Sequence, residues 1–516
     1  MIVSALEWSE HREVTADLCI VGAGAAGLDM ARFFNTAKVS VVVVEGGGLE
    51  FSQETQELHR FVSIGKDFRS KATEFNPHLA PSYRSESRIR QFGGTTNIWS
   101  GKWKAHVPDD FQDKVWIPHS GWPVGYHDLL PYYLEVARDY QVPEFLFDLE
   151  ALGRLDRHDG TESSLVNVVH YQQLPPLNFN QAFRSELEES ENVTVTLNAN
   201  AVRLVLDEEL PAIRYLVAKN LGGHTVSVHA EVFVLAAGGL ENAKLLLNSR
   251  DARGRTLGNE YDLVGRFYMD HPKAVWGSLV PSRLRRLKRG RALKHSSGII
   301  QLGFGLSEAV REKHRLPNHN TYLRPVPFGT NLETSYHPRL LRMTSRLFVN
   351  RAVKWFGRLL FTYAGIVSSY ELIHYLEQIP CPGSRVYLCG ERRDRLNEPL
   401  LVVEWQLTDA DLSSFRKYLQ VLRDALRNQG VGDIHFPGEE VSLIILADAS
   451  HHMGTTRMAD SDERGVVDST CKVFGINNLY VAGSSVFPTV GNANPTLTLL
   501  TLTRRLSHHL RSVMGW

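Results

Sequence analysis

Asp17-Leu18-Cys19-Ile20-Val21 is a short apolar run that breaks at Gly22-Ala23-Gly24-Ala25-Ala26-Gly27. A helix-compatible stretch follows from Leu28 to about Thr36, and a second apolar run, Val39 to Val44, ends at Glu45. The pattern predicts strand, glycine turn, helix, strand. It recurs at Val232 to Gly239, another apolar run entering a glycine turn, with a helical pattern continuing from Glu241 to Leu247. Tyr126 to Tyr140 has helical spacing after Gly121-Trp122-Pro123, and Val193 to Leu206 reads as two strands around Asn198-Ala199-Asn200. Leu401 to Trp405 reads as a further strand. Near the end, Thr496 to Leu506 is helical, with Pro495 at its first position and Asn494 at its cap.

Two basic stretches stand apart. Arg283 to Arg291 reads as a solvated loop, with docking of an acidic partner as the sharper alternative. From Arg339 to Phe361, the cations Arg339, Arg342, Arg346, Arg351, Lys354 and Arg358 fall opposite Leu341, Phe348, Trp355, Phe356 and Leu359 on a helical wheel. That pattern predicts an amphipathic covering helix, the sharper alternative being a membrane-surface or substrate-access helix.

The first unit is a candidate dinucleotide site. Gly22 permits a tight turn, Gly24 lets a pyrophosphate approach the backbone, and Gly27 lets the helix pack on the strands. Glu45 is then placed to hold ribose hydroxyls. The motif alone does not separate NAD from FAD. The strand entering Ala236-Ala237-Gly238 would bring backbone toward the same dinucleotide, and Gly93-Gly94-Thr95-Thr96-Asn97-Ile98-Trp99-Ser100-Gly101 offers a loop able to lie against a flat ring.

Composition narrows the classes. At 516 residues, the chain is long enough for two or more structural units. Lys+Arg and Asp+Glu both number 57, so no global field attracts nucleic acid or an anionic membrane, and neither is expected as a partner. The four cysteines, Cys19, Cys381, Cys389 and Cys471, match neither a disulfide framework nor a zinc site. The first residues carry no secretory pattern, and no uncharged apolar run approaches the ~20 residues of a membrane span. The expectation is a soluble, cytoplasmic protein.

The densest chemistry lies at the carboxyl end, where His451-His452-Met453-Gly454-Thr455 precedes Leu479 to Gly483 and Gly491-Asn492-Ala493-Asn494-Pro495-Thr496. Taken alone, His451 also reads as a hydrogen-bonded histidine on a buried turn, and Asn494 as only a helix cap. A metal is not expected, because no carboxylate or cysteine stands at ligand spacing beside His451 and His452.

Together with Gly265-Arg266-Phe267-Tyr268-Met269-Asp270-His271-Pro272, these blocks resemble the glucose-methanol-choline oxidoreductase family, especially its sugar-oxidising branch near pyranose oxidase and bacterial sugar and C-glycoside 3-oxidases. The resemblance implies a mixed α/β fold: a Rossmann-like FAD domain of discontinuous segments (14–105, 195–272 and 441–516), a mixed segment (106–194), and a substrate domain (273–440). The substrate domain is expected to have a mostly antiparallel sheet, Leu401 to Trp405 among its strands, and covering helices. It further implies FAD against Gly22, Gly24, Ala25, Ala26, Gly27, Glu45, Gly46, Gly93, Gly94, Thr95, Asn97, Ile98, Trp99, Val202, Ala236, Ala237, Gly238, Gly483, Ser484, Asn494 and Thr496. Val202 would lie near the adenine. Where pyranose oxidases carry a flavin-linked histidine, Ile98 stands here, so a non-covalent cofactor is expected.

By the same resemblance His451 is the base and Asn494 its partner in oxidising an alcohol to a carbonyl, with hydride transfer to flavin N5. A neutral imidazole suits proton removal, whereas an amide can only hydrogen-bond. The positive end of the helix after Asn494 would favour a reduced, anionic ring. The expected substrate is a sugar or glycoside oxidised at a secondary ring hydroxyl, the alternative a primary alcohol of an aminosugar or aminoglycoside. Oxygen, a quinone or a carrier protein would accept the electrons. Rival classes are an NAD-dependent dehydrogenase, which leaves the carboxyl-terminal block without a purpose, and a lyase or non-redox flavin-binding protein on the same scaffold.

Overall fold

Val41–Val44 is buried along its whole length, as a strand covered on both faces of a parallel sheet must be. In the computed structural model, which describes residues 1–65, 87–147, 164–282, 293–327, 367–436 and 446–516, it lies at the centre of the first of two large sheets. The strand order there is Ile2–Ser4, Val193–Leu197, Val41–Val44, Arg12–Val21, Thr225–Leu235, Ile213–Lys219, Asn200–Leu206. Neighbours run parallel as far as Thr225–Leu235, and the last two strands are antiparallel. Leu479–Val481 pairs in parallel with Phe233–Leu235. That pairing brings the carboxyl-terminal block beside the amino-terminal glycine turn, as the strand ends at Val21, Val44, Leu235 and Val481 share one edge.

The second sheet is antiparallel, in the order Gly432–His435, Lys273–Pro281, Val367–Tyr375, Asn320–Pro327, Gly298–Leu306, Leu165–Gln173, Lys102–Trp103, with Leu293–His295 also paired to Gly298–Leu306. Helix Asp409–Asn428 covers it, burying Phe415, Tyr418, Leu422 and Leu426 with Phe304, Tyr370 and Leu372. Its start is fixed by a capping box between Thr408 and Asp411. The expected mixed α/β architecture is thus present.

The strand around Leu401 does not belong to the substrate sheet. Pro399–Trp405 pairs with Arg385–Arg393 and with Phe61–Gly65 in a separate three-stranded sheet. Apolar patterning marks a strand but not its partner, and here the partner is more than 300 residues upstream. Arg283 to Arg291 and Arg339 to Phe361 lie outside the described residues.

The first helix is Ala25–Phe33, starting earlier than its apolar pattern suggests, so Ala25 and Ala26 form its opening turn. Gly22 has φ +105°, and a Cβ there would meet Ala236 O at 2.7 Å; a Cβ on Gly27 would strike Gly22 O. Both glycines are therefore demanded by the protein itself. The last helix, Pro495–Met514, packs against Ala25–Phe33 and Tyr126–Asp139. Arg504 fastens the three: Nη2 lies 2.7 Å from Asp29 Oδ1, and Nη1 lies 2.7 Å from Glu135 Oε1 and 2.6 Å from Asp139 Oδ2.

Candidate active site

A cavity of ≈ 700 Å³ opens where the parallel strand ends face the second sheet, within the ~300 to 1,000 Å³ range of small-molecule sites. Its lining includes Gly22, Gly24, Ala25, Ala26, Glu45, Gly46, Gly94, Thr95, Ile98, Trp99, Val202, Ala236, Ala237, Gly238, His451, Gly483, Ser484, Asn494 and Thr496. Segments separated by more than 400 residues converge there. Gly27, Gly93 and Asn97 are not among the lining residues. Gly27 packs helix on strand, Gly93 donates its N–H to Ala23 O at 2.8 Å, and Asn97 Nδ2 donates to Phe92 O and Gly94 O at 2.9 Å. These three shape the turns beneath the cavity.

The cavity has the cradle that a dinucleotide needs. A Cβ built on Gly24, Gly238 or Gly483 meets nothing within 4 Å, so these positions open toward the empty space. Gly24 and Gly238 also stand at the starts of helices Ala25–Phe33 and Gly238–Asn248, whose first N–H groups suit phosphate oxygens. Leu58, Val202 and Leu396 form an apolar cluster at the cavity wall. Glu45 has a second duty that the motif does not announce. Its carboxylate accepts from Ala23 N at 2.8 Å and Gly47 N at 2.6 Å. Burial raises its pKa against those two bonds and the nearby Arg90.

His451 sits in a more elaborate setting than its sequence block suggests. The Asp270 carboxylate accepts from the backbone N–H of His271 at 2.6 Å, Ala449 at 3.0 Å and His451 at 3.0 Å. Burial, followed by the charge of Asp448, raises the Asp270 pKa despite those bonds. His271 Nδ1 lies 2.8 Å from His451 Nδ1, while His271 Nε2 lies 3.2 Å from Val490 O and 3.1 Å from Gly491 O. Carbonyls only accept, so His271 Nε2 carries its proton. Burial lowers the His271 pKa to about 4, leaving that ring neutral near pH 7 and its Nδ1 an acceptor. His451 Nδ1 must then be the donor, and His451 Nε2 bears the lone pair. Asn494 Nδ2 faces that lone pair at 3.4 Å. Asn494 precedes Pro495 at the helix start, but its side chain makes no capping bond, so it is turned to the histidine. Burial, then His271 and Lys273, hold the His451 pKa well below its ordinary value.

The loop bearing Asn494 is tied to the second sheet. His106 Nε2 bonds Val490 O at 3.0 Å, Gly491 N donates to Glu377 Oε1 at 3.2 Å, and Lys104 Nζ donates to Asn492 O at 2.9 Å. Asn492 Nδ2 in turn donates to Asn318 Oδ1 at 2.8 Å. Lys104 is buried, which brings its pKa down to about 7. Sequence reasoning missed this support, the Asp270–His271 clamp, and three further lining residues: Lys102, Lys273 and Tyr375. Asp270 and His271 stood inside a recognised block, and their adjacency to Pro272 was the available signal. The other three had none, because each arrives on a different strand.

Residues 380–503 match the GMC oxidoreductase family. The chain is 21% identical to 2-methyl-1,2-propanediol dehydrogenase of Mycolicibacterium austroafricanum, across 96% of this chain and 95% of that one. It is 23% identical to 6'''-hydroxyparomomycin C oxidase of Streptomyces lividus, across 96% and 92%. The likeness to a C-glycoside 3-oxidase of Arthrobacter globiformis is 30% but spans only 25% of each chain. The sugar 3-oxidase resemblance is therefore regional, while the longer matches are to enzymes of diverse alcohols. The fold is similar to that of pyridoxine 4-oxidase from Mesorbium loti, with a TM-score of 0.55 at 18% identity over 96% of this chain and 99% of that one. The chain belongs to the GMC oxidoreductase family and is a FAD-dependent oxidoreductase acting on the CH–OH group of an alcohol.

Proposed function

We propose that the chain oxidises a secondary ring hydroxyl of a sugar or glycoside, with His451 as base, Asn494 as the orienting group and FAD held non-covalently. The observation that carries this reading is the His451 Nε2 lone pair, facing Asn494 Nδ2 at 3.4 Å at the cavity wall. That separation exceeds the ~2.7 to 3.2 Å of a good N–H···O bond, so a substrate hydroxyl can enter between the two groups. Nε2 accepts the hydroxyl proton, Asn494 Nδ2 donates to the oxygen left behind, and His271 holds His451 Nδ1 in its donor form. Bound FAD would supply the acceptor for the hydride leaving the carbon. Gly24, Gly238 and Gly483 would admit its backbone-hugging portion, Val202 and Leu396 its apolar ring, and Ile98 offers no side chain able to bond to it.

The carbohydrate part of the reading is supported by the partial likeness to C-glycoside 3-oxidase. The longer likeness to 6'''-hydroxyparomomycin C oxidase favours a second reading, oxidation of a primary alcohol on an aminosugar. Purified protein should carry a flavin that acid precipitation releases into solution. Added to sugars and aminosugars without oxygen, the holoenzyme should lose its flavin absorption with the true substrate class. A flavin that stays with the precipitate overturns the non-covalent assignment, and bleaching by simple aliphatic alcohols but no carbohydrate overturns the substrate class. Reoxidation by oxygen, a quinone or an added carrier protein then identifies the acceptor.

A further inference from the structure

The second sheet brings an unusual set of donors to the cavity beside His451. Lys102 lies on the edge strand Lys102–Trp103, Lys273 opens Lys273–Pro281, and Tyr375 closes Val367–Tyr375. Lys273 and Tyr375 are direct cross-strand partners, with the Lys273 ammonium 5.3 Å from the Tyr375 ring centre. All three line the cavity. Both lysines hydrogen-bond the Tyr375 hydroxyl, and both are close enough to His451 to oppose its protonation.

The chemistry of that cluster is one-sided. A lysine ammonium offers only donors, and a phenol oxygen has two lone pairs. With both lone pairs taken by ammonium groups, the Tyr375 hydroxyl has its own proton to give elsewhere. Burial alone would raise the phenol's pKa, but the two ammonium charges outweigh it and bring it to about 8, so it remains a donor near neutrality. The lining carboxylates do not balance this. Glu45 binds backbone N–H groups, and Glu241, Asp394 and Glu398 are paired with Arg88, Lys244 and Lys219 respectively. Asp448, the carboxylate nearest His451 in sequence, accepts from Ser450 N at 2.9 Å and Ser450 Oγ at 3.0 Å. At the cavity lining, Arg324 is exposed and paired with Glu371 at 2.7 Å. A neutral sugar presents hydroxyls that need acceptors as well as donors; a wall of two cations and a phenol suits a group that only accepts.

We propose that Lys102, Lys273 and Tyr375 form a carboxylate subsite, and that the alcohol oxidised at His451 is an acidic sugar, a uronic acid or its glycoside. This rests on the alcohol oxidation proposed above and names its substrate class. The carboxylate would be held at the second sheet while a ring hydroxyl reaches His451 Nε2 and Asn494 Nδ2. One charged end thus orients the ring for attack at the other.

Holoenzyme is mixed anaerobically with matched pairs, glucose against glucuronate and galactose against galacturonate, and the rate of flavin bleaching is followed. The acidic member should be preferred. Lys102→Met, Lys273→Met and Tyr375→Phe should each lower the acidic-to-neutral ratio of kcat/KM by roughly 10- to 100-fold, the value of one charged hydrogen bond. Preference for the neutral member, or a ratio unmoved in the variants, overturns the subsite; a variant that fails to fold leaves the other two to decide. Thermal unfolding with glucuronate or glucose reads binding without turnover. Glucuronate alone should raise the melting temperature of His451→Ala holoenzyme, and the rise should vanish when Lys102→Met is added. If no sugar bleaches the flavin but that shift is present, the oxidation reading fails and the subsite stands. If the shift is absent, the subsite falls.

Discussion

Replacing His271 tests the proton arrangement at its weakest link. In the native site His271 Nδ1 accepts from His451 Nδ1 at 2.8 Å, and that bond alone selects the tautomer whose Nε2 can act as base. His271→Phe removes the acceptor and leaves a buried N–H without a partner, which costs about 1 to 3 kcal/mol. The penalty falls on the productive tautomer, so its population drops by roughly 5- to 150-fold. Flavin reduction by a saturating alcohol, followed anaerobically, should slow by that factor, whereas losing the base in His451→Ala should cost ~100- to 10,000-fold. Two amides separate the functions of the ring. Asn at 271 can present an acceptor near the Nδ1 position, and Gln a donor near Nε2, where Val490 O and Gly491 O are bonded. Recovery by His271→Asn with little recovery by His271→Gln is the expected result. Native rates in His271→Phe, or equal rates in the two amides, would refute the tautomer assignment.

Gly24→Val should fold with the stability of the native apoprotein yet fail to retain FAD, measured by flavin absorption after gel filtration, because its side chain enters open cavity at an ordinary φ of −83°. Gly27→Val should instead lower the apoprotein melting temperature, since its Cβ strikes Gly22 O; overpacking of this kind costs ~1 to 3 kcal/mol or more. Arg504→Met leaves Asp29, which is 0% exposed, without its cation, and should destabilise the fold by about 3 to 5 kcal/mol in urea. Tyr140 Oη still donates to Asp29 Oδ1 at 2.7 Å and sets the lower end of that range. Protonation gives a fourth expectation. His271 is lowered from 6.5 to about 4, so between those values the unfolded chain binds a proton that the folded chain refuses. Stability therefore falls as pH drops through this window, by ~2 kcal/mol at pH 5 from this residue alone. His271→Asn should flatten the acid limb of the melting curve. Because the His451 pKa is also depressed, flavin reduction should not halve near pH 6.5 as a free imidazole base would require.

How much of this was legible in the chain depends on whether a residue's task is local. The glycine turns were legible because Gly22 and Gly27 answer to backbone geometry within a few residues, and the same turns brought Gly24, Glu45 and Gly238 to the cavity. The helix cap at Asn494 was legible from Pro495, although the side chain's release toward His451 was not. Partnership across sheets was invisible. Leu401 carries the apolar alternation of any strand, and its pairing with Phe61 follows from a topology that alternation does not encode. The same limit hid the subsite, for Lys102, Lys273 and Tyr375 are separated by more than 100 residues and meet through antiparallel register, Lys273 opposite Tyr375.

That register has a consequence for how specificity is divided. The base, its amide partner and the phosphate-facing turns all sit at the ends of parallel strands or the helix starts beside them, where backbone geometry fixes them and substitutions break the enzyme. The donors assigned to the substrate sit on the antiparallel sheet, where exchanging one lysine for a neutral side chain leaves the ladder bonds of the backbone intact. Chemistry and recognition are thus carried by different sheets and meet only in the cavity. A change of substrate charge would require new side chains at 102, 273 and 375 but no new fold. The 21% and 23% identities to oxidoreductases of such different alcohols are what that division would produce.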